Sequence, residues 1–259
     1  MQHEQYKRSC VIFKDIDKNP DNYLLIHYSC ENFYDIKDGH TPRITSIAVY
    51  HYTSAQTESF SIHKEAERKH VSDDELELRY DDLEKAMLAN FFEYAREHQG
   101  YTWIHWNMRD INYGFKAIEH RYAVLGGNAY KILDSKKIDL ARLLVQRYGA
   151  NYIGHPRMEK ILSLNNIKPK NYLNGVEEAE AFKKKEYVKL HMSTLSKVDA
   201  FEHVIKLAID NKLKVESKWH EIYGASIQGV YNFCKETWWT QLILGMVTLV
   251  LGAVLGKIF

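Results

Sequence analysis

Apolar positions along this chain follow three rhythms, and each predicts a different kind of element. Short runs rich in β-branched and aromatic residues, Cys10–Phe13, Tyr23–Tyr28, Arg43–Tyr52 and Gln56–Ile62, are separated by the turn-rich stretches DKNPDN and DIKDGHTP and read as successive strands. A helical rhythm then takes over. Leu83, Met87, Leu88, Phe91, Phe92 and Ala95 form one apolar face between the acidic start SDDELELRYDD and Gly100. Beyond it the pattern predicts a strand at Tyr101–Trp106, a helix near Asp110–Tyr122 and a strand at Tyr130–Leu133. Helices follow near Asp139–Tyr148, Pro156–Leu164 and Lys197–Asn211. Strands followed by alternating helices and strands describe an α/β domain with a mixed sheet flanked by helices.

The third rhythm is an unbroken apolar run. Thr237–Gly256 (TWWTQLILGMVTLVLGAVLG) carries no charge between Glu236 and Lys257. As a helix it reaches about 30 Å, the thickness of a bilayer's hydrocarbon core, and is expected to be a transmembrane helix. Trp238 and Trp239 stand where an interfacial aromatic belt belongs, and Lys257 is placed to snorkel into headgroups. The start MQHEQYKRSC lacks the apolar region of a signal peptide, so the expectation is a C-terminal single-pass protein with its soluble domain in the cytoplasm.

Three segments are therefore expected: a domain over residues 1–212, a juxtamembrane connector helix over 213–236, and the span over 237–259. Apolar Trp219, Ile222, Tyr223, Ile227, Val230, Tyr231 and Phe233 make the connector a helix expected to run on into the span. Along the span, Thr237, Gln241, Gly245, Thr248, Gly252 and Gly256 fall within an arc of roughly 100°. Such a small or polar stripe favours close packing between copies, or the lining of a narrow pore.

Composition narrows the chemistry. With 35 basic and 34 acidic residues, bulk charge does not mark a nucleic-acid binder, and an anionic ligand needs a local pocket. Cys10, Cys30 and Cys234 have no CxxC spacing, and the 13 histidines form no HExxH, so neither a disulfide framework nor a metal site is expected. Most histidines are read as surface residues. Neither GxxxxGK[ST] nor GxGxxG occurs, and no cofactor is implied. Eighteen tyrosines and five tryptophans cluster in NYLLIHY and YTWIHW, as strand filling or as platforms on which bases stack.

The order of elements from about Tyr23 to Lys212 resembles the ribonuclease H-like fold of DEDD 3′–5′ exonucleases. PRITSIAVYHYTSAQTESFSI is similar to that family's second and third strands, and WIHWNMRDINYGFKAIEHR to its second motif. KIDLARLL resembles the Asp-initiated helix after the fourth strand, and STLSKVDAFEHVIKLAI the last helix. The resemblance implies two divalent metals held among four carboxylates, two of them supplied by the first strand as Asp-x-Glu. That stretch here is Ile26-His27-Tyr28-Ser29-Cys30, without either acid. The third acid corresponds to Asp110, displaced by about one position, or to Asn112. The fourth is Asp199, and the family's general-base histidine is replaced by Thr194.

The expectation is a pseudo-exonuclease, not an enzyme, whose groove grips a nucleic-acid end. Candidate contacts are His27, Ser29, Asn107, Arg109, Lys116 and Lys197, with Tyr28, Trp106 and Tyr113 available to stack. Core packing is the alternative for Tyr28 and Trp106, and a solvated helix position for Lys197.

A degenerate nucleic-acid-processing domain joined to one short span resembles the Hailong type of bacterial antiphage membrane effector. That resemblance implies an oligomeric ion channel, a tetramer in the inner membrane, gated by a single-stranded DNA oligonucleotide made by a partner nucleotidyltransferase. An active tethered exonuclease and a non-catalytic membrane scaffold are the alternatives.

Overall fold

All eight residues of Tyr23–Cys30 are buried, the pattern of a strand covered on both faces, and this strand, β1, lies at the centre of a five-stranded sheet. The computed structural model describes residues 2–31, 41–224, 227–236 and 238–255. Helix α1 (Gln2–Lys18) precedes β1, and β2 (Ile44–His51), β3 (Thr57–Ser61), α2 (Ile62–Arg68), α3 (Asp73–Leu76) and α4 (Tyr80–Glu97) follow. Next come β4 (Thr102–His105), α5 (Phe115–Val124), β5 (Lys137–Asp139), α6 (Leu140–Tyr148) and α7 (Arg157–Leu164). The chain continues as α8 (Gly175–Lys183), α9 (Tyr187–Ile209), α10 (Trp219–Tyr223), α11 (Ile227–Glu236) and α12 (Trp238–Leu255).

The chain divides into two units. The larger comprises Ile12–Leu143 and His155–Lys214 and contains the whole sheet, ordered β3-β2-β1-β4-β5. β1 and β2 are antiparallel, as are β2 and β3, whereas β4 is parallel to both β1 and β5. Alternation along β1 assigns its faces. Leu24, Ile26 and Tyr28 join Leu83, Met87, Leu88 and Phe91 of α4 in the main core. His27 points the other way, edge-on to Phe201 of α9 at 5.7 Å, and Ser46 on β2 bonds Thr194 of α9 at 2.8 Å.

A buried polar clamp holds the start of β2 to α4. Glu84, fully buried, accepts from the Ile44 amide at 2.6 Å and from Arg121 Nε at 3.0 Å, and Tyr80 Oη donates to the Ile44 carbonyl at 3.1 Å. At the sheet's edge, Lys64 Nζ donates to the Ser59 carbonyl of β3 at 2.8 Å.

The smaller unit gathers Met1–Val11, Leu144–Gly154 and Val215–Phe259. Tyr6 and Tyr223 meet at 4.9 Å between ring centroids, and Phe233 contacts Trp219 at 5.6 Å, Tyr223 at 5.8 Å and Trp239 at 6.0 Å. Arg147 lies over the Tyr6 ring at 4.5 Å.

The α/β class and the mixed sheet agree with the sequence pattern, but several elements differ. Cys10–Phe13, expected as a strand, lies inside α1, where buried Tyr6, Ser9, Phe13 and Ile16 keep a helical spacing that so short an apolar run concealed. No strand forms at Tyr130–Leu133; the fifth strand is the three-residue β5. The helix expected from Asp110 starts at Phe115, and α9 starts ten residues before Lys197. The connector is not one helix: α10 ends at Tyr223, and Gly224 after it, with a φ of +83°, departs from helical geometry before α11 begins.

Among the described residues no helix is long and apolar enough to cross a membrane. The described part of α12 covers 18 residues, about 27 Å of helix. Thr237 and Gly256, at the two ends of the expected span, lie outside the described residues.

Candidate functional site

A cavity of about 420 Å³ in the larger unit opens at the carboxyl ends of β1 and β4. Its lining comes from β1, the loop after β4, α7, α8 with the residues leading into it, and α9. Two larger hollows, of about 810 and 920 Å³, lie elsewhere in the same unit. The smaller one is the candidate because it brings together His27, Trp106, Asn107, Asp110, Tyr113 and Lys197.

The loop after β4 owes its shape to a few residues. Asn107 adopts φ +57°, a left-handed conformation that asparagine tolerates better than most residues. Its amide donates to Asp139 Oδ1 at 3.1 Å, and its side-chain oxygen accepts from Arg109 Nη2 at 2.6 Å. Asp110 Oδ1 accepts from the Asn112 amide at 2.8 Å, closing an Asx turn, and the Asp110 amide donates to the Tyr113 carbonyl at 3.1 Å.

The chain then returns at Gly114, whose amide donates to Tyr28 Oη at 2.9 Å. A Cβ there would stand 2.5 Å from the Met108 carbonyl oxygen, so only glycine fits. Gly114→Ala is expected to lower the unfolding free energy by about 3 kcal/mol, read as a fall in the melting midpoint. An unchanged midpoint would show that the loop yields freely.

His27 forms the floor. It is 7 % exposed; Nδ1 lies 3.4 Å from Tyr113 Oη, and the buried Nε2 has no hydrogen-bond partner. Burial, reinforced by the nearby charge of Lys197, holds its pKa well below the ordinary 6.5, so the ring is neutral. Lys197 is itself buried and its Nζ lies 2.7 Å from Glu178 Oε1, which also accepts from Ser193 Oγ at 3.1 Å. The solvated alternative for Lys197 is thus overturned.

The walls are aromatic. Trp106, half-buried, stacks on Phe201 at 6.1 Å, and Tyr113 stacks on Tyr28 at 4.7 Å with 19° between the ring planes. Tyr172 carries Lys197 over its ring at 5.4 Å. Burial, with the neighbouring Glu159 carboxylate, pushes the Tyr172 phenol well above its usual pKa, so it stays protonated.

The remaining candidates lie elsewhere. Tyr28 is a core residue behind Tyr113, and Ser29 is 1 % exposed with its Oγ unpartnered. Arg109 does not line the cavity: its Nε is ion-paired with Asp139, while Lys116 is exposed on α5. Asp199 lines the 920 Å³ hollow with Thr57, Lys168 and Lys170, so Asp110 and Asp199 do not share a cavity; burial raises the Asp199 pKa. His27, His105 and His191 are buried rather than superficial. In α12, Gln241 donates to the Lys235 carbonyl and Thr248 Oγ1 to the Gly245 carbonyl at 2.8 Å. Gly245 has no heavy atom within 4 Å of where a Cβ would stand, and Gly252 falls within α12.

Sequence reasoning missed Glu159, Tyr172 and Glu178. The signal for α8 was present as Asn174-x-x-Glu177, which forms a capping box: Asn174 accepts from the Val176 and Glu177 amides, and Glu177 from the Asn174 amide. Among the described residues no group of three or more His, Cys, Asp or Glu is placed to hold a metal ion. The arrangement suits a flat ring lying against aromatic faces with polar atoms beneath it. No family model matches the chain, and no curated protein or solved structure shows significant similarity to it.

Proposed function

We propose that the larger unit is a non-catalytic, ribonuclease H-like domain that binds single-stranded DNA, and that the C-terminal helix sets it at a membrane as an effector of bacterial antiphage defence. The cleft carries this reading. His27 occupies the central strand where the exonucleases have an acid, and the ammonium of Lys197 lies close enough to disfavour its protonation. The two surviving acids line separate hollows, which supports binding over hydrolysis. The sheet order, with β1 between an antiparallel and a parallel neighbour, supports the fold assignment.

Exposed Leu242, Ile243, Met246, Val247, Leu249 and Val250 on α12, with Trp239 near its start, support contact with lipid. On the resemblance to the Hailong type, four copies form an ion channel in the inner membrane with their domains in the cytoplasm. An oligonucleotide from a nucleotidyltransferase gates it.

The test is binding of internally labelled single-stranded DNA to the detergent-purified protein with Mg²⁺ or Mn²⁺, followed by measurement of strand length. Saturable binding with intact strands is expected, weakened roughly tenfold in Trp106→Ala by loss of one stacking face. Shortened strands would identify a tethered exonuclease, and absence of binding a scaffold; either result overturns the proposal.

A further inference from the structure

The lining of the cleft selects which part of a nucleic acid enters it. Asp110, Glu159 and Glu178 contribute carboxylates, which when ionised only accept hydrogen bonds. The one ammonium among the lining residues, Lys197, is already held by Glu178 at 2.7 Å. A phosphodiester in this space would face carboxylates with no uncommitted cation among the described lining residues to offset them. A group rich in N–H donors meets the opposite situation. Asp110 uses Oδ1 for the Asn112 amide, yet a carboxylate has about four lone-pair positions, so accepting capacity remains.

His27 is an independent indication that a ligand atom belongs here. Its side chain is more than nine-tenths buried, it lines the cleft, and Nε2 has no partner in the protein. Buried polar nitrogens are nearly always satisfied, so an orphan beneath an open cleft marks a position for a ligand's polar atom. Trp106 and Tyr113, each backed by a second ring, supply the faces for a flat heterocycle.

We infer that the cleft takes a nucleobase bearing an exocyclic amine, cytosine, adenine or guanine, with the amine toward Asp110 and Glu159, a ring-edge atom on His27 Nε2, and the phosphates outside. This rests on the DNA-binding reading above and adds to it a base preference. Thymine and uracil offer a carbonyl where cytosine offers the amine, and a carbonyl facing a carboxylate is repelled.

Oligodeoxycytidine and oligodeoxyuridine of equal length provide the test, since they share a backbone and ring size and differ in the donor and acceptor pattern of one edge. Fluorescence anisotropy on the full-length protein is expected to show the cytidine strand binding roughly tenfold more tightly. In the Asp110→Asn, Glu159→Gln double variant, whose amides can also donate, the ratio should fall toward one. Equal affinity for the two strands, or tighter binding of the uridine strand, overturns the inference while leaving the DNA-binding reading intact. A cytidine preference undiminished in the double variant removes it from this cleft. Failure of both strands to bind overturns both proposals. Neither Asp110 nor Glu159 is buried, and the wild-type comparison decides the matter even if the double variant folds poorly.

Discussion

Acidification from pH 7 to pH 5 is expected to remove about 4 kcal/mol or more of folding stability, with most of the loss below pH 6.5. His105 and His191 supply that amount, and His27, likewise held neutral by burial, adds to it. Burial lowers the pKa of His105 from 6.5 to about 4, against the pull of the Asp139 carboxylate and with help from Arg109 and Lys137. Burial likewise lowers His191 to about 4, with His63 and Lys64 adding to the effect. Each ring is neutral in the native protein, and His105 Nδ1 accepts the Met108 amide at 3.1 Å, a bond that protonation would abolish. The unfolded chain takes up these protons near pH 6.5, whereas the folded chain resists them down to about pH 4. The stabilisation is therefore complete above 6.5 and is lost as pH falls toward 4, by about 1.4 kcal/mol per unit for each ring. Urea midpoints at pH 7 and pH 5 measure it, and His191→Gln should remove part of the slope. Midpoints that coincide at the two pH values would defeat the argument.

The second large effect is expected at the clamp on β2. Glu84→Ala removes the acceptor of the Ile44 amide and the main partner of Arg121, leaving a guanidinium 6 % exposed. Breaking one side of a buried ion pair costs about 3–5 kcal/mol, because the remaining charge has neither water nor its counter-ion. Asp81, bonded to Arg121 Nη2 at 2.7 Å but largely exposed, compensates only in part. Replacing both partners, as Glu84→Leu with Arg121→Met, is expected to recover much of the loss. A thermal melt of Glu84→Ala that matches the parent protein would show the clamp to be dispensable.

The elements that could be read from the chain are those whose side chains meet water on one face or nowhere. β1, β2 and α4 fall in that class: Tyr23–Cys30 is buried throughout, and α4 carries its apolar stripe against solvated Asp81, Asp82 and Glu93. Where burial is shared between unlike faces, the pattern misleads. Cys10–Phe13 looks extended only if the buried residues a turn away are ignored, and β5 is too short for alternation to register.

The cleft was half legible. His27, Trp106, Tyr113 and Lys197 could be proposed from the strands and helices that bear them, whereas Glu178 became part of it only through a helix whose start is marked by polar capping. Arg109 shows the opposite failure. Its charge suggested a ligand contact, but Asp139, thirty residues on, has already claimed it through the parallel pairing of β4 with β5.

The edge of the sheet has a consequence for self-association. A strand with one side unpaired is a template on which a second copy can dock by hydrogen bonding backbone to backbone. β3 is only five residues long, and the ammonium bonded to the Ser59 carbonyl would have to be displaced or stripped of water before another strand could align there. That edge of the sheet is thereby guarded against backbone pairing with a second copy.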